Sequence, residues 1–184
     1  AINLGVRFNY NTAYGYNILP SFALKQRVHN QILRFNFSHN FRSPSLKELY
    51  YEMEQHSPSI YGNVNLKPQA SNHYSLSVES VKRINSSFEA YASQNYNMIN
   101  YRSITEVDPI TSDTTSYLIS DNYSDILLYG VNYNNYIDLS KKSSIKGIYS
   151  YTSANSKSND TLDGISKHAI KIQIHHQFNN KLRL

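Results

Sequence analysis

The feature that most constrains this chain is a two-residue period held over whole segments. In AINLGVRFNY, Ile2, Leu4, Val6, Phe8 and Tyr10 fall on one side of an extended backbone, and Asn3, Gly5, Arg7 and Asn9 on the other. QILRFNFSHN sets Leu33, Phe35 and Phe37 against Arg34, Asn36 and Ser38. NHYSLSVES repeats the pattern, with Tyr74, Leu76 and Val78 against Ser75, Ser77 and Glu79. ILLYGVNYNNYIDL carries Leu127, Tyr129, Val131, Tyr133, Ile137 and Leu139 on one side, and HAIKIQIHHQF carries Ile170, Ile172, Ile174 and Phe178. Strands point successive side chains to opposite faces, so these segments read as strands with one apolar and one polar face. Several exceed the usual five or six residues and reach the ~9–11 that a tilted strand needs to cross a bilayer.

Connections alternate in length. Short polar turns at Arg83–Asn85, Ser140–Lys142 and Asn179–Asn180 contrast with long excursions at 41–70, 102–116 and 154–166. Short turns on one side and long loops on the other mark an outer-membrane-type barrel, and Tyr10, Tyr101, Tyr136 and Tyr151 near strand ends suit its interfacial aromatic girdles. A soluble β-sandwich alternates too. Its strands, however, are usually shorter, with turn signals every ~8–12 residues.

Composition agrees with a one-faced sheet. Tyr occurs 17 times, Trp and Cys are absent, and only 40% of residues are hydrophobic. The net charge of +5 is scattered, with no run of five like charges, so a nucleic-acid partner is not expected. Without cysteine there is neither a disulfide framework nor a thiolate metal site. No stretch approaches the ~18 apolar residues of a membrane helix. The expected fold is all-β: an antiparallel up-and-down transmembrane β-barrel, present as a partial wall of about eight to nine strands. The apolar face is expected to carry Leu127, Tyr129, Val131, Ile170, Ile172 and Ile174, and the lumen Arg34, Asn36, Ser75, Asn132, Lys171 and Gln173. Because strand patterns open and close the chain abruptly, residues 1–184 are expected to be a piece of a longer barrel domain.

The alternation stops in the long excursion at about 41–70. Ser43–Met53 places Leu46, Leu49, Tyr50 and Met53 at helical spacing, and Ser45 with Glu48 forms a capping-box pattern. Pro44 sits just before that start, where its missing N–H costs nothing. Gly62 and Asn63 offer turn chemistry for left-handed backbone. Pro68 stands where a strand begins. Arg42, Lys47, Glu48 and Lys67 are candidates to tie the loop by ion pairs.

FRSPSLKELY and GNVNLKPQAS together resemble the paired boxes of TonB-dependent outer-membrane receptors, an FRAP-like box running into LxELY and a GNPNLKPE-like box. Phe41, Arg42 and Pro44 match the first box with Ser43 in place of Ala, and Leu46, Glu48, Leu49 and Tyr50 match its continuation. Gly62, Asn63, Asn65, Leu66, Lys67 and Pro68 match the second, with Val64 in place of the usual Pro and Gln69 in place of the usual acid. The opening LGVRFNY and GVNYNNYIDL also fit, with Asn132 where many members have an acid.

The resemblance implies an active-transport receptor in the outer membrane of a Gram-negative bacterium. Its cargo would be a small-molecule metal chelate, a ferric siderophore, haem or cobalamin, so that iron or cobalt arrives with the ligand and no intrinsic cofactor is needed. Energy would come from the TonB complex through an N-terminal plug domain, absent from these residues, and the whole barrel would have roughly 22 strands. Haem receptors of this kind often carry a His between the two boxes, and His56 occupies that interval, with Tyr50, Tyr51 and Tyr61 nearby to stack or ligate and Arg42 a further loop candidate for ligand contact. A passive porin or small structural outer-membrane barrel is the alternative. Catalysis is not expected: there is no nucleophile elbow, HExxH or phosphate-binding glycine run, and Glu52, Glu54, Asp108 and Asp113 have no pairing geometry. His175 and His176 are adjacent and point to opposite faces, so they cannot chelate one ion.

Overall fold

The computed structural model describes residues 1–54, 58–80, 84–107, 114–123, 125–156 and 166–178. Eight long strands form one antiparallel sheet: β1 (Ile2–Asn11), β2 (Gly15–Val28), β3 (Gln31–Arg42), β6 (Gln69–Ser80), β7 (Ile84–Tyr96), β10 (Ile126–Ser140), β11 (Ser143–Ser156) and β12 (His168–His176). They lie side by side in chain order, β1-β2-β3-β6-β7-β10-β11-β12, the up-and-down arrangement that alternation predicts. Between β3 and β6 come α1 (Leu46–Tyr50), β4 (Glu52–Met53) and β5 (Ser59–Tyr61). Between β7 and β10 comes a hairpin, β8 (Met98–Val107) and β9 (Thr114–Tyr123).

Register carries one face through all eight strands. Ile2 pairs with Leu24, which pairs with Phe35, and Phe35 pairs with Leu76. The row continues from Leu76 to Ala90, Val131 and Tyr151. Its neighbour runs Tyr133, Tyr149, Ile170. The expected lumen residues share the opposite face: Arg34 lies beside Ser77, Asn36 beside Ser75, Asn132 beside Glu89 and Ser150, and Lys171 beside Ile148. Among the described residues nothing covers the apolar face. Leu76, in the middle of the sheet, is 55% exposed, Leu127, near one end of β10, is 41% exposed, and Ile172 is 69% exposed. On the polar face Ser75 is only 5% exposed. Side chains crowd one another on the inside of a curved sheet and splay on the outside, so the polar face is the concave one. A sandwich would have put Leu127 and Ile172 into a shared dry interior, and it is excluded.

Cross-strand pairs hold each face together. Outside, Tyr10 meets Tyr16 at 4.6 Å and Phe37 meets Tyr74 at 5.1 Å between ring centroids, both directly opposed in register. Such aromatic pairs add about 0.2–1 kcal/mol each relative to Ala–Ala. Inside, the Arg34 guanidinium pairs with Glu79, and Asn36 Nδ2 donates to Ser75 Oγ at 3.2 Å. Asn132 Nδ2 donates to Glu89 Oε2 at 3.1 Å, and Tyr91 OH shares a hydrogen bond with Thr152 Oγ1 at 2.8 Å. From Leu127 to Ile137 the outward face is apolar except at Asn135. That span of ten rises at ~3.3 Å, tilted ~40–45°, stands about 25 Å tall, the height of an outer-membrane apolar band.

The ends of the sheet differ. At one end the connections are 29–30, 81–83 and 141–142; at the other they are 12–14, 43–68, 97–125 and 157–167. The turn at Ser140–Lys142 lies where expected, while Arg83 and Asn179–Asn180 fall outside the described residues. The excursion predicted at 102–116 is not a plain loop. Much of it continues β8 and β9, which leave the wall and join β4 and β5 in a separate four-stranded sheet, order β4-β5-β9-β8. Tyr101 therefore sits on this outer sheet and not in a girdle. Tyr136 is also misplaced by the sequence reading: it falls on the polar face, where its OH donates to Asp138 at 2.8 Å. Tyr10 and Tyr151 do lie on the apolar face. Of the buried hydrophobic side chains among the described residues, Leu66, Ile99, Tyr123 and Ile126 belong to the long-loop end and only Leu19 does not, so the described dry core lies there and not in the middle of the wall.

Candidate functional site

The two sequence boxes meet at the long-loop end as one hydrogen-bonded assembly. The first box starts a single helical turn. Ser45 is its N-cap, with Oγ accepting from the Glu48 N–H at 3.2 Å while the Glu48 carboxylate accepts from the Ser45 N–H at 2.8 Å. Pro44 stands immediately before the cap and is buried. One turn of helix forms within Ser43–Met53, where the helical spacing and capping box place it; it stops at Tyr50, because Tyr51 is extended (φ −73°, ψ 132°) and Glu52–Met53 pair with β5.

Arg42 closes the arrangement from the wall. Its Nη1 lies 2.9 Å from both Glu48 carboxylate oxygens, and its Nη2 donates to Gln69 Oε1 at 3.3 Å. The same Gln69 oxygen accepts from the Ile99 N–H at 3.4 Å. Gln69 therefore ties the end of β3 to the start of β8, using an amide oxygen where the related pattern has an acid. Burial acts on the Glu48 carboxyl most strongly and would raise its pKa. The Ser45 N–H, the Arg42 guanidinium and the Ser45 hydroxyl together outweigh burial and hold it below the usual carboxylate value. Of the expected ion pairs only Arg42–Glu48 forms among the described residues. Lys47 instead lies over the Tyr51 ring, 4.8 Å from its centroid, and Lys67 is held through its backbone.

The second box packs onto the first. The Gly62 N–H donates to Tyr51 O at 2.6 Å and the Asn63 N–H to Glu48 O at 2.9 Å. Gly62 is not left-handed, contrary to the sequence reading. The positive-φ residues described are Gly15 (73°), His29 (54°) and Asn97 (50°). Gly62 is needed for close approach: a Cβ there would stand 2.7 Å from Leu49 C and Tyr50 N, both backbone atoms. Asn63 does supply turn chemistry, its Oδ1 accepting from the Asn65 N–H at 2.9 Å. Leu66 is buried, Val64 is exposed, and Pro68 immediately precedes β6. Phe41 pairs with Ala70 where β3 and β6 diverge.

The aromatic candidates separate. Tyr50 points to solvent, while the Tyr51 OH donates to Met53 Sδ at 3.3 Å. Tyr61 packs edge-on against Tyr117 at 5.6 Å, and its OH donates to Glu54 at 3.5 Å. Tyr117 in turn donates to Glu106 at 2.9 Å, a hydrogen bond that raises the phenol's pKa. Arg102 pairs with Asp121 at 2.7 Å and lies 4.6 Å over the Tyr123 ring. His56, Asp108 and Asp113 lie outside the described residues. No group of three or more potential metal-ligating residues occurs among the described ones. A cleft of about 540 Å³ at the same end, lined by Gln94, Asp125, Leu127 and Asn155 among others, includes none of the box residues. Asn97 and Asn122, which join the boxes to the hairpin, carried no sequence signal that would single them out, and Gln69 stood out only as a replacement for the usual acid.

An antiparallel, one-sided wall with structured loops gathered at one end defines an outer-membrane-type β-barrel. The chain belongs to the TonB-dependent receptor-like β-barrel family, whose model matches residues 1–182. Family membership assigns these residues to a receptor-like barrel. Solved structures agree on the fold. The siderophore receptor PirA of Pseudomonas aeruginosa superposes with a TM-score of 0.72 at 15% identity, covering 97% of this chain and 31% of that one. PirA of Acinetobacter baumannii gives 0.73 at 17% identity, covering 97% and 29%. The ferric enterobactin receptor PfeA of P. aeruginosa gives 0.72 at 15%, covering 97% and 28%. The chain thus spans less than a third of these receptors. Comparison with curated protein sequences gives no match.

Proposed function

We propose that the whole protein is an outer-membrane receptor of a Gram-negative bacterium that imports a scarce metal chelate. The apolar convex face would meet lipid and the polar concave face would line the lumen. The observation that carries this reading is one predominantly apolar face carried in register across eight strands, with the two boxes and the β8–β9 hairpin gathered at one end. A ferric siderophore is the favoured cargo, since PirA is a siderophore receptor and PfeA a ferric enterobactin receptor. Haem, cobalamin and copper are the alternatives, the last because a copper transporter, OprC, shares the fold with a TM-score of 0.65. Energy would reach the barrel from the TonB complex through a plug domain.

The test is uptake by a strain lacking the full-length gene, complemented or not, in cells with and without a working TonB complex. Labelled ferric siderophore accumulation that requires both the gene and TonB is the expected result. Accumulation that needs the gene but not TonB would replace this reading with a passive pore. Uptake of haem or cobalamin alone would keep the receptor and change the cargo.

A further inference from the structure

We propose that Asn122 locks the second box and the β8–β9 hairpin into a single body, so that the two outer loops move together and not independently. The Asn122 side-chain amide makes three hydrogen bonds to two other segments. Its Oδ1 accepts from the Lys67 N–H at 2.7 Å, and its Nδ2 donates to Lys67 O at 2.9 Å and to Asn97 O at 2.9 Å. Toward Lys67 the amide therefore behaves as a strand partner would, satisfying both the donor and the acceptor of one residue.

Lys67 is suited to this because Pro68 follows it. A residue before proline is pushed out of the helical region into extended backbone, which leaves its N–H and C=O ready for a lateral partner. Proline itself has no N–H to compete. Asn97 is the other anchor. It turns the chain from β7 into β8 in a left-handed conformation, φ 50°, which Asn tolerates better than most residues. The clamp thus grips the root of the hairpin. Farther out, β5 pairs with β9 in parallel register, Ser59 with Tyr117 and Tyr61 with Ile119, and Gln69 bridges Arg42 to the Ile99 N–H. The loop between the boxes and the hairpin are joined at the hairpin's root and again midway along β9, by residues 55 positions apart in sequence at the clamp. Nothing in this depends on what is transported.

The experiment places spin labels on the full-length protein at exposed Val64 and exposed Thr105, and measures the distance distribution between them in lipid vesicles. Residues 1–184 contain no cysteine to interfere. The unaltered protein is expected to give one narrow peak. Asn122→Ala removes all three bonds and should lose it. Asn122→Asp keeps an acceptor for the Lys67 N–H but turns a carboxylate oxygen toward two carbonyls, and should lose the peak as well. Heat-resistant gel mobility confirms that each barrel is folded. Should either folded variant keep the narrow peak, the two loops are held by the β5–β9 pairing and the Gln69 bridge without Asn122, and the clamp is refuted. A failure of siderophore uptake would leave this measurement untouched.

Discussion

Replacing Leu76 with Arg tests which face of the wall meets lipid. Leu76 is on β6, flanked by Phe35 and Ala90 on the apolar row, and is 55% exposed although it lies in the interior of the sheet. On the same face Asn72 and Ser80 are each four residues away, at the two polar ends of the strand. Four rises at ~3.3 Å with a tilt of ~40–45° put Leu76 about 10 Å from either end, near mid-band. Arg at a barrel's mid-band costs about 2–4 kcal/mol, against about 0–1 near the interfaces. At ~1.4 kcal/mol per decade, Leu76→Arg should shift the folding equilibrium roughly 30- to 1,000-fold. The control is Ser77→Arg, one residue along and facing the lumen beside Arg34. The assay is urea titration of the full-length protein in phospholipid vesicles, read as the heat-resistant folded band. Equal costs for the two substitutions, or a larger one for Ser77→Arg, would refute the assignment of faces.

Further outcomes follow from the loop end and the lumen. Gly62→Ala drives a methyl into the Leu49–Tyr50 backbone and should cost about 1–3 kcal/mol, the range for overpacking, seen as faster proteolysis between the boxes with the wall intact. Gly130→Ala pushes a Cβ into the Tyr151 carbonyl and the Tyr91 ring, and should lower barrel stability in the same urea titration. The Glu48 pKa is depressed in the folded loop, so its stabilisation is full above the ordinary carboxylate value and fades as pH falls through the folded value. Protection of the Asn63 N–H, its exchange rate taken relative to the intrinsic rate at each pH, should fall over that acid window, and Glu48→Gln should remove the dependence. If the cargo is haem, His56→Ala should weaken haem binding to the full-length protein; unchanged binding would remove His56 as a ligand.

The apolar and polar faces were legible because alternation is written into each strand separately. Leu33, Phe35 and Phe37 declare their side before any partner is known, and sheet register only aligns one strand's choice with the next. The capping box at Ser45–Glu48 was legible for the same reason, since its partners are three residues apart. Where the sequence misled, the deciding contact was remote. Gly62 looked like a turn glycine, but its conformation is ordinary and the need for it comes from Leu49 and Tyr50 packed against it. Tyr101 looked like a girdle residue because proximity to a strand end is visible in the sequence and the departure of its strand from the wall is not; Tyr136 was misread against the alternation of its own strand, since it adjoins Ile137 on the apolar side.

Composition and period thus determined an antiparallel wall with one oily side, together with the two boxes and the helical turn between them. The tertiary structure decided that β8 and β9 leave the wall, that β5 joins them in parallel, and that Asn122 reaches Lys67. Those outcomes depend on how the backbone polar groups of one connection find partners in another, a pairing set by the path of both chains in space and carried by neither segment alone.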